Sequence, residues 1–298
     1  MDVAYFPGCT LKTTAKRYED SALFIAGKLG VNLVELPRWN CCGTVYSLST
    51  DNLMQMLAPM RVLLRTEEMG YNHLVTLCAM CFNTLKRANL RLRNNPEDAE
   101  KLNDFMYLEE TKYSGRVEVI HFLEILVEKA GEIKDNLEKT FSGVKIAPYY
   151  GCLLVRPEEV GIDSPELPTV MEDVLHVAGF EVVDFPLRTE CCGAYTTVNS
   201  KDLVISRTER IVRLASEMSA DAIAVTCPLC EFNLDVRQLD AKEIHPDLPQ
   251  VPIVYFTQLI ALAMGATPKE AGFSQYGVSP EKLLEKCGLS ERSEVCKE

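Results

Sequence analysis

The chain has 298 residues, 47% of them apolar and 8% aromatic, enough for one large hydrophobic core or two modest ones. Its formal charge is −12, and no Lys/Arg run exceeds two residues, so the electrostatic footprint of a nucleic-acid partner is missing. The start Met1-Asp2-Val3-Ala4-Tyr5 has neither the basic nor the apolar region of a signal peptide, and no apolar run approaches the ~18 residues that span a bilayer; a cytoplasmic protein with no direct membrane span is expected.

In chain order, Val3–Phe6 reads as a strand, with Cys9 in the Pro-Gly turn beyond it. Apolar residues at helical spacing predict a helix over Lys12–Leu29, which Gly30 ends. A strand over Val31–Leu36 stops at Pro37, and Cys41-Cys42 lies in the following loop. A helix over Met54–Met69 leads to a strand over His73–Leu77 that delivers Cys78, and Cys81 opens a basic helix. Pro96–Glu110 reads as an acidic helix, Val117–Phe122 as a strand and Leu123–Ala130 as a helix. After a polar linker, Gly131–Gly143, the order recurs. Strand Lys145–Tyr150 is followed by Cys152, helix Pro168–Gly179, strand Glu181–Phe185 and Cys191-Cys192. Helix Leu203–Met218, strand Ala222–Thr226, Cys227-x-x-Cys230, strand Ile253–Phe256 and helix Thr257–Met264 complete the second series. The tail from Ala266 is irregular, apart from a short helix with Ser279 as N-cap and Pro280 at its first position. This rhythm predicts an α/β protein of two tandem Rossmann-like units, residues 1–143 and 144–298, each with a parallel sheet. Every cysteine of the repeat falls just after a strand, at the carboxyl edge where open α/β sheets bind ligands.

Ten of the twelve cysteines form one pattern used twice. Cys9, Cys41-Cys42 and Cys78-x-x-Cys81 are matched by Cys152, Cys191-Cys192 and Cys227-x-x-Cys230, and a Gly follows each double cysteine. In a reducing compartment such spacings point to metal ligands or redox groups rather than disulfides. Thiolates select zinc, copper(I) or iron–sulfur clusters. Five per half is one more than a structural zinc site uses, and adjacent cysteines suit contact with two irons of a larger cluster. The Gly either lets backbone approach a sulfur or supplies φ > 0. A four-cysteine zinc site with a spare thiol is the alternative in each half.

The doubled motif Cys-x(31–39)-Cys-Cys-Gly-x(33–35)-Cys-x-x-Cys resembles the CCG-domain family, and the two-copy chain resembles the catalytic, disulfide-reducing subunit of heterodisulfide reductases over essentially all of residues 1–265. The resemblance implies two non-cubane [4Fe-4S] clusters facing a substrate disulfide. One would sit on Cys9, Cys41, Cys42, Cys78 and Cys81, the other on Cys152, Cys191, Cys192, Cys227 and Cys230. It implies cleavage of the mixed disulfide of coenzyme M and coenzyme B, or a related disulfide. The electrons would come from two partners in the same complex, a ferredoxin-like iron–sulfur subunit and a flavin-containing one. Similar doubled motifs occur in electron-transfer or anchoring subunits of some succinate dehydrogenases, thiol:fumarate reductases and 2-hydroxy-acid oxidases, which gives the alternative function.

Because the coenzyme disulfide carries a sulfonate and a phosphate, its site needs cations, and arginine suits such groups. Lys12, Arg38, Arg156 and Arg188 lie within four residues of a motif cysteine, with solvated loop charges as their ordinary reading. Arg38 and Arg188 are expected to approach the cleft from opposite sides. His121 and its counterpart Tyr255 stand on the fourth strands, where each is either a proton donor or a structural residue. Asn83 and Asn233 are candidates either for donors to cluster sulfur or for helix caps. Cys287 and Cys296, outside the motif, are expected to be free thiols.

Overall fold

The computed structural model describes residues 1–44, 52–274 and 276–289. Two four-stranded parallel sheets carry the chain. The first holds β1 (Asp2–Tyr5), β2 (Asn32–Glu35), β3 (His73–Thr76) and β4 (Glu118–His121) in the order β2-β1-β3-β4. The second holds β5 (Lys145–Tyr149), β6 (Glu181–Val182), β7 (Ala222–Val225) and β8 (Ile253–Tyr255) in the order β6-β5-β7-β8. Equivalent strands therefore occupy equivalent places, as the duplicated pattern predicts.

The central strands are continuous apolar runs because helices cover both faces: all four residues of β7 are buried. β6 stops well short of the predicted Phe185. Its partner β5 carries Pro148, which has no N–H to donate, just where the ladder with β6 would continue beyond Ile146↔Val182. A short helix, Gly8–Leu11, holds Cys9, and Thr13 turns its hydroxyl back onto the Cys9 carbonyl at 3.0 Å. The helix expected over Lys12–Leu29 begins only at Lys16 and runs to Lys28. Gly30, at φ +64°, ends it as expected. The helix Pro228–Ile244 is absent from the predicted elements. Ser279 accepts the N–H of Glu281 at 3.3 Å, but the helix Glu281–Lys286 begins one residue later than predicted, with Pro280 at the cap.

The carboxyl edges of the two sheets meet. Tyr18, on the helix Lys16–Lys28, donates its hydroxyl to the carbonyls of Leu77 (2.6 Å) and Thr226 (3.3 Å), the residues that follow β3 and β7. The N–H of Ala79 also bonds the Thr226 carbonyl, at 3.2 Å. Tyr18 stacks on Tyr255 with ring centroids 4.1 Å apart, and Ser21 pairs with Thr257 at 2.7 Å. Helix Lys16–Lys28 of the first unit thus packs on helix Phe256–Ala263 of the second, and one apolar core runs through both.

Candidate metal centres

Each Cys-x-x-Cys is placed by the junction of a central strand with a long helix. Cys78 caps the helix Ala79–Asn94 and Cys227 caps Pro228–Ile244, so Cys81 and Cys230 fall in the first turns. Unpaired backbone N–H groups and the positive end of the helix dipole favour thiolate there, but contact with neighbouring thiols, Cys42 for Cys81 and Cys192 for Cys230, and then burial push both up. Since the two strand ends abut, Cys78 and Cys227 face each other across the junction. Cys78 is pushed up, chiefly by that thiol contact, whereas Cys227 is held low by Cys230 and then by Cys78.

The other thiols extend this row in both directions. Cys81 neighbours Cys42 and Cys78, Cys230 neighbours Cys192 and Cys227, and the exposed Cys41 neighbours Cys42. Hydrogen bonds from Cys41 and Cys81 hold Cys42 well below the usual thiol range. Cys191 is lowered to about 6, first by its hydrogen bond with Cys152 and further by the Gly193 N–H and the Arg207 charge.

The double-cysteine loops use glycine for its backbone freedom. Gly193 sits at φ +97° and Gly43 at φ +79°; a Cβ on Gly193 would lie 2.7 Å from Val204 Cγ2, and one on Gly43 3.0 Å from Ala58 Cβ. In this conformation the N–H groups of Gly193 and Ala194 point at the sulfurs of Cys191 and Cys192, each at 3.4 Å. Backbone also comes close to sulfur just before the single cysteines. A Cβ on Gly8 would stand 3.0 Å from Cys81 Sγ, and one on Gly151 3.1 Å from Cys230 Sγ.

A cavity of about 450 Å³ opens between the units. Thiol-bearing residues of both, Cys9, Cys42, Cys78, Cys81 and Cys227, line it. Its charged wall residues are Arg17, Glu231 and Asp235, the rest being mainly small or apolar. Arg17 forms an ion pair with Glu231, and Asp235 accepts the N–H groups of Gly277 (2.6 Å) and Val278 (2.9 Å) from the C-terminal segment.

None of the sequence-chosen cations reaches this wall. Lys12 bridges Glu19 and Glu35, both at 2.7 Å. Arg38 points outward, its side chain 64% exposed, and meets Glu68. Arg156 donates to the Pro165 carbonyl and to Thr189. Arg188 is buried against Glu172, Asp184 and the Phe185 carbonyl. The expectation that Arg38 and Arg188 converge on the cleft is thus corrected: both sit beside the amino-terminal side of their cysteine loops, where nearby carboxylates take up their charge. The guanidinium at the cavity is Arg17, whose place is fixed by a helix of one unit meeting the other. A cation eight residues after a lone cysteine carries no sequence signal of that kind.

His121 is fully buried, its Nε2 2.7 Å from the Leu77 carbonyl while Nδ1 accepts the Leu123 N–H, so it caps the helix Phe122–Glu128. Burial lowers its pKa to about 4, leaving a neutral imidazole that donates to Leu77. Tyr255 caps Phe256–Ala263 in the equivalent place. Cys287 ends the helix Glu281–Lys286, away from both thiol groups, and Cys296 lies outside the described residues.

The donor set, soft thiols gathered at one sheet edge, fits an iron–sulfur group. The thiols run in rows, with N–H groups aimed at sulfur, an arrangement suited to ligands spread around a cluster of several irons.

Duplicated parallel α/β units that gather two sets of thiols at their shared edge define a cysteine-rich, metal-ligating redox protein. The model of the cysteine-rich domain CCG matches residues 3–86 and 146–235, more than half of the sequence. The chain belongs to the CCG family and is an iron–sulfur oxidoreductase component similar to the cysteine-rich subunits of heterodisulfide reductases. It is 33% identical over 283 residues to the 8-methylmenaquinol:fumarate reductase membrane anchor subunit of Wolinella succinogenes, covering 95% of this chain and 99% of that one. It is 29% identical over 290 residues to one subunit of the ferredoxin/F(420)H(2)-dependent CoB-CoM heterodisulfide reductase of Methanosarcina acetivorans, covering 95% and 96%. A hypothetical protein from Helicobacter pylori shares the fold at a TM-score of 0.76 and 16% identity; the match covers 93% of this chain but 52% of that one, so this chain spans about half of its length. Among the described residues, no helix is long and apolar enough to cross a membrane.

Proposed function

We propose that this chain is the two-centre iron–sulfur subunit of a cytoplasm-facing reductase complex, and that it passes electrons between a partner's redox centre and a two-electron carrier held in the cavity between its units. The observation that carries this reading is one cavity lined by cysteines of both repeats. Cys9, Cys41, Cys42, Cys78 and Cys81 would hold one non-cubane [4Fe-4S] cluster, and Cys152, Cys191, Cys192, Cys227 and Cys230 the other. When bound, such clusters would supply one-electron steps. The protein's part is to fix the two thiol sets across the Tyr18 junction, to dispose N–H donors toward sulfur, and to exclude water with apolar walls. Residues 1–143 and 144–298 are the corresponding functional halves.

The wall chemistry favours a neutral carrier. One cation stands against two carboxylates, and that cation is already paired with Glu231. A quinol of the kind in the Wolinella protein's name fits such a wall better than an anionic coenzyme disulfide. The second reading, cleavage of the coenzyme M–coenzyme B disulfide with electrons from ferredoxin-like and flavin subunits, draws on the near full-length similarity to the Methanosarcina heterodisulfide reductase subunit and on a cavity that Cys227 of the second set shares with four cysteines of the first. Anaerobic turnover separates the two. Reoxidation of the dye-reduced protein by a short-chain naphthoquinone, with the coenzyme disulfide inert, supports the first; the reverse preference supports the second, and reoxidation by neither overturns the cavity as a substrate site.

A further inference from the structure

Asn83 and Asn233 follow the two Cys-x-x-Cys pairs, and the fold separates their roles. Both are fully buried, and in both the side-chain carbonyl oxygen has no partner. Asn233 works inside its own unit. Its amide nitrogen donates to the Ala194 carbonyl at 2.8 Å and stands 3.4 Å from Cys192 Sγ. Asn83, two residues after Cys81 rather than three, reaches out of its unit. Its amide nitrogen donates to the carbonyls of Leu153 (2.8 Å) and Arg156 (2.6 Å), in the turn that follows Cys152. Neither residue is a helix cap, since Cys78 and Cys227 hold those positions.

We propose that Asn83 is a positioning residue that acts across the two units: a side chain of the first motif sets the turn that presents Cys152 to the second. The turn is also tied by the Arg156 N–H to the Cys152 carbonyl at 3.0 Å, by the Ile162 N–H to the Leu154 carbonyl at 3.1 Å and by the Arg156 side chain to Pro165 and Thr189, but among these ties only the Asn83 bonds come from the first unit. Both Asn83 bonds converge from one amide nitrogen on two carbonyls three residues apart, so they fix the curvature of the turn as well as its distance from the first unit. A carboxylate of the same shape cannot donate to these carbonyls and repels them. The two centres are thereby coupled in geometry, although no cysteine is shared between their sequence motifs.

The test uses the full-length, iron-free protein, so its outcome does not depend on the cluster reading. Reduced wild type and Asn83→Asp are treated with iodoacetamide, and each cysteine's alkylation rate is read by peptide mass spectrometry, with Cys287 as the internal reference. The expected result is a severalfold faster reaction at Cys152 with Cys9 unchanged, even though Cys9 belongs to the motif that carries the substitution. An unchanged Cys152 rate, or equal acceleration of Cys9 and Cys152, overturns the proposal. If Asn83→Asp fails to fold by circular dichroism, Asn83→Ser, which keeps a shorter donor, is read against the same two outcomes. In reconstituted protein, the same substitution should shift the spectrum of the second centre and leave that of the first.

Discussion

Protonating His121 should break the cap of the helix Phe122–Glu128, because Nδ1 would then carry a proton and could no longer accept the Leu123 N–H, and the structure gives the size and pH window of the effect. The folded chain keeps the imidazole neutral until about pH 4, chiefly because of burial, while the unfolded chain takes up the proton near the ordinary value of 6.5. The stability linked to this group is therefore complete above pH 6.5 and is lost as the pH falls from 6.5 toward 4. At pH 5 the unfolded state has gained one and a half pH units of proton affinity, at about 1.4 kcal/mol each, or about 2 kcal/mol. Glu124, which accepts the His121 backbone N–H, is itself raised by burial. A double difference removes its contribution. Urea unfolding of iron-free wild type and His121→Gln at pH 7.5 and pH 5 should show the wild type losing about 2 kcal/mol more than the variant. Equal losses would mean that His121 is charged in the folded protein, and the capping assignment would fall.

Tyr18→Phe removes a hydroxyl that bonds both halves, but Leu77 and Thr226 keep other donors; a loss of about 1 kcal/mol is expected in thermal unfolding of the iron-free chain. A loss within error would show that the bond contributes nothing to holding the edges together. Gly193→Ala combines a left-handed backbone with a Cβ 2.7 Å from Val204, and should cost about 2 kcal/mol or more while slowing recovery of the cluster spectrum on reconstitution; a neutral outcome would place the loop elsewhere. Cys191→Ser should alter that spectrum and Cys287→Ser should not, and equal effects would show that the ligand set is wrongly drawn.

The sheets and the thiol edges were legible because two different periodicities agree in this chain. Apolar runs such as Ala222–Val225 mark buried strands, and the repeated cysteine spacings place the same five thiols after equivalent strands. The helix Pro228–Ile244 was not legible, since its pattern is inverted by the site it serves: Glu231, Asn233, Asp235 and Gln238 are buried, while Phe232, Leu239 and Ile244 are exposed. The early end of β6 was hidden because its cause, Pro148, lies on another strand. Which cations line the cavity could not be read from proximity to cysteine. Lys12, Arg38 and Arg188 are neighbours of the motif in sequence, but local carboxylates hold them, whereas Arg17 reaches the cavity only because helix Lys16–Lys28 packs on the second unit. Tertiary placement, which no local pattern encodes, decides which charge reaches the cavity.

Whether the two thiol sets each hold a multi-iron cluster is tested most directly by metal and acid-labile sulfide analysis of anaerobically purified protein. About eight irons per chain, with a comparable amount of sulfide, is the expected result for two four-iron centres. About two zincs per chain and no sulfide would contradict it.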